Sequence, residues 1–489
     1  MPTPNILLIH ADQHRADCIG AHGHPFLQTP NLDRLIAEGA DFTNAFTPIP
    51  LCTPARTSLL TGQWPMQHGA ITNPDAEAGR AFNAAIPTFS QALRDAGYFL
   101  GYVGKWGVDP QRPPTSFGFN VYVSERDYGK QRQQLGLPPK PNTNRWFGET
   151  DPHITPEQSQ LAWGADMTVQ LLRHAAQGNA PFFLRWDPSE PHLPNVVPEP
   201  YASMYPPATI PPWPNFADPL TGKPFIQHQQ RRTWGIDQWG WSDWAPIVGR
   251  YLGEITLLDH QLGRVLATLD ELGIAENTVV IYTTDHGDLC GAHGMIDKHY
   301  VMYDELVRVP FIVRWPGQIA ANQNCGAFIS SAVDLAATFC DLAGVERPST
   351  FAGQSILPLV TEKTEDSSQR TGDSSQRTED GGHESRNTQH ATRNTNHESR
   401  PDIYTTYHGN QFGLYSQRMV RDHRWKYIWN ATAEDELYDL LTDPGEITNL
   451  AADPAYAVEG QRLRQRILAW MEETNDRLLN PWIRQQLAR

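Results

Sequence analysis

Cys52 stands in the segment Leu51-Cys52-Thr53-Pro54-Ala55-Arg56-Thr57-Ser58-Leu59-Leu60-Thr61-Gly62. The pattern predicts a helix that opens at Cys52 and closes at Thr61-Gly62. Unpaired N–H groups and the dipole at such an opening favour an anion. Arg56, about one turn further on, would point at the same spot. The plainer reading is a buried structural cysteine beside an incidental arginine. Two polar pairs, Asp12-Gln13 and Asp285-His286, follow apolar runs. Brought together they form an oxygen-rich set that suits a hard divalent cation; taken singly, each pair could merely cap a turn. Lys105 follows a strand-like run and Gly104, and His192 follows another apolar run. Both are placed to face a cleft, although a lone histidine is often structural.

The elements that must position these residues are legible as buried strands with polar ends. Residues 5–9, 98–103, 180–186 and 278–283 are continuous apolar or β-branched runs, the pattern of central parallel strands that deliver functional groups at their C-terminal edge. Helices are predicted from Pro30 with Thr29 as cap, over 88–96, and over 252–272. The expected fold class is therefore α/β: a large central mixed, mainly parallel sheet sandwiched by helices. After it, 403–429 alternates as antiparallel strands do, and 462–478 reads as a terminal helix, giving a small C-terminal α+β subdomain. Residues 362–400 break the pattern, because Ala391 is their only aliphatic residue and short phrases recur. They read as a disordered low-complexity linker or insertion. The expected organisation is a catalytic domain at 1–361, this linker, and the C-terminal subdomain at 401–489.

The phrase from Cys52 to Gly62 resembles the signature of the sulfatase family, Cys-x-Pro-x-Arg followed by Thr-Gly, within the wider alkaline-phosphatase-like fold. The resemblance covers most of the chain outside the insertion. It implies that a separate maturation enzyme oxidises Cys52 to formylglycine (3-oxoalanine), whose hydrated aldehyde is an oxygen nucleophile for the hard sulfur centre. It implies a metal site of Asp12, Gln13, modified Cys52, Asp285 and His286. Ca²⁺ is the first choice for the ion. Gln13 carries no charge and His286 brings nitrogen, which keeps Mn²⁺ and Mg²⁺ open. It further assigns Arg56, Lys105 and Lys298 to the sulfate oxygens and His192 to sulfate or the leaving oxygen.

One departure concerns the second half of the cycle. Many sulfatases read Gly-Lys-Trp-His, whereas this chain reads Gly104-Lys105-Trp106-Gly107. His68 is then the first candidate for the base that frees the aldehyde, with Asp109 and His10 behind it. Asn73 occupies the position of a functional asparagine in the related phosphonate monoester hydrolases.

The chain has 489 residues, a formal charge of −16, fifteen Trp and five Cys without framework spacing. No Lys/Arg-rich run appears, so neither nucleic acid nor a membrane is expected as a partner. The odd cysteine count and the lack of a signal-like start point to a reducing cytoplasm. The Trp-rich stretch 234–244 is a packing patch or, alternatively, an aromatic wall for a leaving group. The expected function is hydrolysis of a sulfate ester of a carbohydrate or an aryl alcohol. The alternatives are a phosphonate monoester or phosphodiester hydrolase with the same nucleophile and a non-catalytic binding protein on the same fold. The sequence leaves oligomeric state, including a homo-oligomer, open.

Overall fold

The computed structural model describes residues 3–74, 82–361, 399–409 and 414–488. Its centre is an eight-stranded sheet made of β1 (Asn5–Ala11), β2 (Ala40–Phe42), β3 (Phe99–Gly104), β4 (Val121–Ser124), β5 (Phe182–Asp187), β6 (Thr278–Thr284), β7 (Phe311–Arg314) and β8 (Gln323–Cys325). The spatial order is β8-β2-β7-β6-β1-β5-β3-β4. Only β7 runs antiparallel to its neighbours β2 and β6; the other pairings are parallel. Every residue of β1, β5 and β6 is buried, as helices on both faces require.

Alternation along each strand divides the core in two. Ile6 and Leu8 of β1, with Val279 and Ile281 of β6, pack against α2 (Cys52–Thr61), α3 (Phe89–Asp95) and α6 (Val333–Ala343). Leu7, Ile9, Val280 and Tyr282 pack instead against α1 (Pro30–Glu38), α4 (Gln160–Ala175) and α5 (Trp241–Glu271). All ten residues of α2 are buried, so this helix is held on every side. A helix so enclosed can carry a nucleophile at a fixed position.

The predicted strands all form. Thr88 caps α3 through a reciprocal pair with Gln91. Thr29 precedes α1 but does not cap it with its side chain. The Asp259 carboxylate of α5 takes that place, accepting from the amides of Asn31 at 3.1 Å and Leu32 at 2.7 Å. Helix α5 begins at Trp241, eleven residues before its predicted start, because Trp244, Ile247 and Val248 are buried and continue its apolar face through Pro246.

The C-terminal sheet is an antiparallel meander of β9 (Ile403–Gly409), β10 (Tyr415–Arg421), β11 (Trp425–Asn430) and β12 (Glu436–Asp439). One face packs Met419 and Ile428 against Tyr300, Tyr303 and Phe46 of the larger part. The other is covered by Leu463, Ile467 and Met471 of α7 (Ala457–Glu473). That helix ends five residues before the predicted limit, with Asn475 in a left-handed conformation at φ 52°, and a short α8 (Pro481–Leu487) follows. The repeat-bearing residues 362–398 lie outside the described residues. Arg400, assigned to the same stretch by sequence, ion-pairs with buried Asp334 of α6. Among the described residues no helix is long and apolar enough to cross a membrane.

Candidate active site

The parallel register aligns four strand ends along one edge. Gly104 of β3 stands opposite Asp187 of β5, and Ala11 of β1 stands opposite Thr284 of β6. Lys105, Asp187, Asp12 and Asp285 therefore emerge side by side, at the C-terminal edge where open α/β sheets place their sites. Gly104 makes the approach feasible: its φ is 109°, and an added Cβ would lie 2.0 Å from the Asp187 carbonyl oxygen. The Lys105 amide donates to that same oxygen at 2.8 Å.

Cys52 is the first residue of α2 and meets these strand ends from the side. Its Sγ lies 3.3 Å from His286 Nε2, 3.7 Å from Asp12 Oδ1 and 3.9 Å from Lys105 Nζ. Burial and Asp12 work against ionisation of this thiol. Lys105, Lys298 and His286 outweigh them and hold it well below its ordinary value.

Asp12, Cys52, Asp285 and His286 bring four donor atoms within 4.8 Å of one another. The set fits a divalent cation. His286 Nδ1–H donates to the Gly287 carbonyl at 2.9 Å, which leaves the Nε2 lone pair facing the other three donors. Burial alone would depress the His286 pKa, yet the Asp285 carboxylate and the Cys52 sulfur raise it to about 9. A positive charge is favoured at this point.

Arg56 lies beneath the cluster rather than facing an anion above it. It is fully buried. Its guanidinium donates to Asp285 Oδ2 at 3.0 Å, to Asp12 Oδ2 at 3.0 Å and to Asp187. It thus orients two of the four clustered donors. Lys105 Nζ donates to Asp12 Oδ2 at 2.6 Å. Gln13, in a left-handed conformation at φ 68°, turns its side chain sideways. Its Nε2 donates to Asp288 at 2.7 Å and Asp297 at 3.0 Å, and its Oε1 accepts from Lys298 at 3.3 Å. Its backbone N–H donates to Asp285 Oδ1 at 3.2 Å.

His192 Nδ1–H donates to the Leu193 carbonyl at 2.5 Å. Its Nε2 accepts from Lys298 Nζ at 2.6 Å. Asn73 Oδ1 accepts from the Thr53 amide at 3.2 Å, in the first turn of α2. The three candidate bases sit elsewhere. His68 is bonded to Ser58 Oγ at 3.0 Å and accepts from the Ala70 amide at 3.1 Å; burial depresses it to about 3. Asp109 is engaged by Arg112 and the Gln111 amide. His10 lies behind the sheet edge, 3.4 Å from Asp187. Among the described residues none of the three contacts Cys52. At Gly107 the backbone is left-handed (φ 59°), and an added Cβ would sit 3.0 Å from Arg56 Cδ.

Beside Lys105 and His192 opens a cavity of about 680 Å³ whose lining includes Tyr128, Lys140, Glu190 and Glu254. No tryptophan of 234–244 lines it. Trp234, Trp239, Trp241 and Trp244 pack instead with Leu193 and Ile296, the neighbours of His192 and Asp297. The patch buttresses the loops that carry His192 and Lys298. Sequence reasoning missed Asp187, Asp288, Asp297, Glu190 and Glu254. Asp187 carried a usable signal, since it ends a buried strand as Asp12 and Asp285 follow theirs.

The sulfatase family profile matches residues 4–345. The chain is 27% identical to an arylsulfatase of Clostridium perfringens, over 96% of this chain and 94% of that protein. It is 25% identical to an N-acetylglucosamine-6-O-sulfatase of Bacteroides thetaiotaomicron, over 97% and 87%. Among solved structures, the phosphonate monoester hydrolase of Agrobacterium radiobacter superposes with a TM-score of 0.77 at 25% identity, covering 96% of each chain. With the profile match over most of its length and the metal-binding cluster in place at the sheet edge, this chain belongs to the sulfatase family of enzymes.

Proposed function

We propose that this protein hydrolyses sulfate esters of carbohydrates or aryl alcohols, with an oxygen nucleophile made by maturation of Cys52 to formylglycine. The observation that carries the reading is the position of Cys52: first residue of an enclosed helix, in contact with His286, Asp12 and Lys105. Asp12, Asp285, His286 and the modified Cys52 would hold one divalent cation, Ca²⁺ in first place with Mn²⁺ or Mg²⁺ as alternatives. Such a cation supplies positive charge that favours an ionised nucleophile and polarises the ester.

The chain's own groups do the rest. Arg56 fixes Asp12 and Asp285 in one orientation. Lys105 and Lys298 neutralise charge that grows on the sulfuryl oxygens, at sites arranged before substrate arrives. His192 Nε2, which accepts from the Lys298 ammonium, takes a proton from it and passes that proton to the departing oxygen. The second hydroxyl of the hydrated aldehyde must then lose a proton so that sulfate leaves. Among the described residues outside the four-donor cluster, Lys105 Nζ lies 3.9 Å from Cys52 Sγ, and as an ammonium it stabilises the oxyanion formed there.

A second reading, a phosphonate monoester or phosphodiester hydrolase, is favoured by Gly107 and by the Asp285-His286 pair; Lys105 argues against it. The test is parallel assay of protein produced with a maturation enzyme, on p-nitrophenyl sulfate, phenylphosphonate and bis-p-nitrophenyl phosphate. Sulfate release faster than either phosphorus reaction is expected, with the Cys52 peptide at the mass of the aldehyde. A phosphonate rate far above every sulfate rate would overturn the first reading, and an unmodified thiol with no turnover would favour a binding protein.

A further inference from the structure

The cavity beside His192 has a floor that the reaction itself does not use. Glu190 follows β5 two residues before His192, and Glu254 comes from the middle of α5. Both line the cavity, with relative exposures of 5% and 3%. Neither forms an ion pair among the described residues. Glu254 Oε2 accepts from Asn195 Nδ2 at 2.6 Å. The Glu190 carboxylate has a long contact from the Ser189 hydroxyl, at 3.4 Å to Oε2, and one from its own backbone N–H. Three buried carboxylates at the strand ends are each met by a cation: Asp12 by Arg56 and Lys105, Asp187 by Arg56 and Arg185, Asp285 by Arg56.

Two buried acids with no ion-pair partner are costly to ionise together in an empty pocket, and burial beside Glu190 keeps a proton on Glu254 there at neutral pH. They become an asset when the ligand brings the cation. A sugar hydroxyl could bond to either acid but brings no charge, so it cannot favour two carboxylates side by side. A protonated amine has three N–H donors and a full positive charge, and a charge-assisted bond is about twice as strong as a neutral one. Lys140 is an exposed residue of the same lining and forms no ion pair with either glutamate. Arg132 is engaged by Asp151 at 2.7 Å.

We propose that Glu190 and Glu254 form a subsite for a free ammonium group on the leaving alcohol, so that the preferred substrates are sulfate esters of amino sugars or amino alcohols with an unsubstituted amine. This rests on the sulfate-ester reading for the chemistry, but the subsite itself can be tested without turnover. The cavity adjoins His192, where the leaving oxygen departs, so the cation belongs to the alcohol and not to the sulfate.

The experiment compares kcat/KM for glucosamine 6-sulfate and N-acetylglucosamine 6-sulfate at pH 7. The amine is expected to be preferred by about tenfold or more, the worth of one charge-assisted contact. Glu190→Gln and Glu254→Gln should each bring that ratio toward one; the ratio is the readout, so a variant of low overall activity still reports. Calorimetry with D-glucosamine and D-glucose on the wild-type protein gives a second measure, and tighter binding of the amine is expected. Equal ratios for the two esters, or Gln variants that keep the wild-type ratio, would overturn the subsite. Loss of turnover on p-nitrophenyl sulfate and on both sugar esters would instead sink the sulfate reading, and the calorimetric comparison would then decide the subsite alone.

Discussion

At the metal end of the cleft, one arginine reaches three carboxylates, and Lys105 adds a second cation to Asp12. At the cavity end, a few residues away along the same sheet edge, Glu190 and Glu254 are as deeply buried and have no ion-pair partner among the described residues, only the exposed Lys140 in the same lining. The first end is complete in its charges before substrate arrives, apart from the place the cluster leaves for a divalent ion. The second becomes complete only with a ligand. The difference separates two tasks. Transfer of an anionic group needs charges fixed in advance, because reorganisation during the reaction is what a preorganised site avoids. Selection among alcohols needs unsatisfied groups, because a site that would be left unpaired by the wrong ligand discriminates strongly.

The sharpest way to break this contrast is to make the metal end resemble the other. Arg56→Ala leaves Asp12, Asp187 and Asp285 without their shared buried partner. Removing one side of a buried ion pair costs about 3–5 kcal/mol. Chemical denaturation should show a loss of that size, with turnover falling by up to about 100-fold as the carboxylates lose their orientation. A variant that kept wild-type stability would mean that the three carboxylates do not depend on Arg56. Chelation is the milder version. If the four-donor cluster holds a divalent ion, treatment with a chelator should lower the melting temperature and abolish turnover, and both should return with Ca²⁺, Mn²⁺ or Mg²⁺. An ion present at 100 times its dissociation constant contributes about 2.7 kcal/mol, less than Arg56 because Arg56 and Lys105 still partner the acids. No change in melting temperature would argue against a resident ion.

The cavity end should show itself in pH. Burial first, and Glu190 second, raise Glu254 from its ordinary 4.5 to about 8; burial and then Glu125 raise Glu190, with Lys140 acting in the opposite sense. Between those two values the folded protein holds a proton at Glu254 that the unfolded chain releases. Stability must therefore fall as pH rises through this window, by up to about 1.4 kcal/mol per pH unit. Glu254→Gln should flatten that part of the profile. Denaturation midpoints of both proteins at pH 6 and pH 7 suffice, and identical slopes would mean that Glu254 is ionised across the range.

The two ends were not equally legible in the sequence. Asp12, Asp285 and Lys105 each follow a buried run, and Cys52 sits in a phrase of fixed spacing, so the metal end announced itself locally. Even there the sequence reading aimed Arg56 upward at an anion. It could not show that Asp187, far away in sequence, would come within reach beneath the cluster. Glu190 and Glu254 lie 64 positions apart, one in a loop and one in an amphipathic helix, where a single glutamate reads as solvent-facing. Their meeting is a product of tertiary packing and leaves no local trace. The bases suggested in place of a histidine after Trp106 show the same limit. His68 stands close to Cys52 in sequence, yet the turn that follows α2 directs it to Ser58 and Ala70.

Gly107 gives the finest test of the metal end, because it bears on Arg56 without being one of the charged groups. Its φ of 59° is favoured by glycine, and a Cβ there would meet Arg56 Cδ at 3.0 Å. Gly107→Ala therefore adds two small costs: a left-handed alanine, at roughly 1 kcal/mol, and pressure on a side chain held by three carboxylates. If Arg56 positions the cluster as argued, turnover should fall more than stability does, because a sub-ångström shift of Arg56 is carried to Asp12 and Asp285. Paired measurement of kcat and denaturation midpoint distinguishes this from simple backbone strain, which would lower the midpoint and leave kcat near its wild-type value.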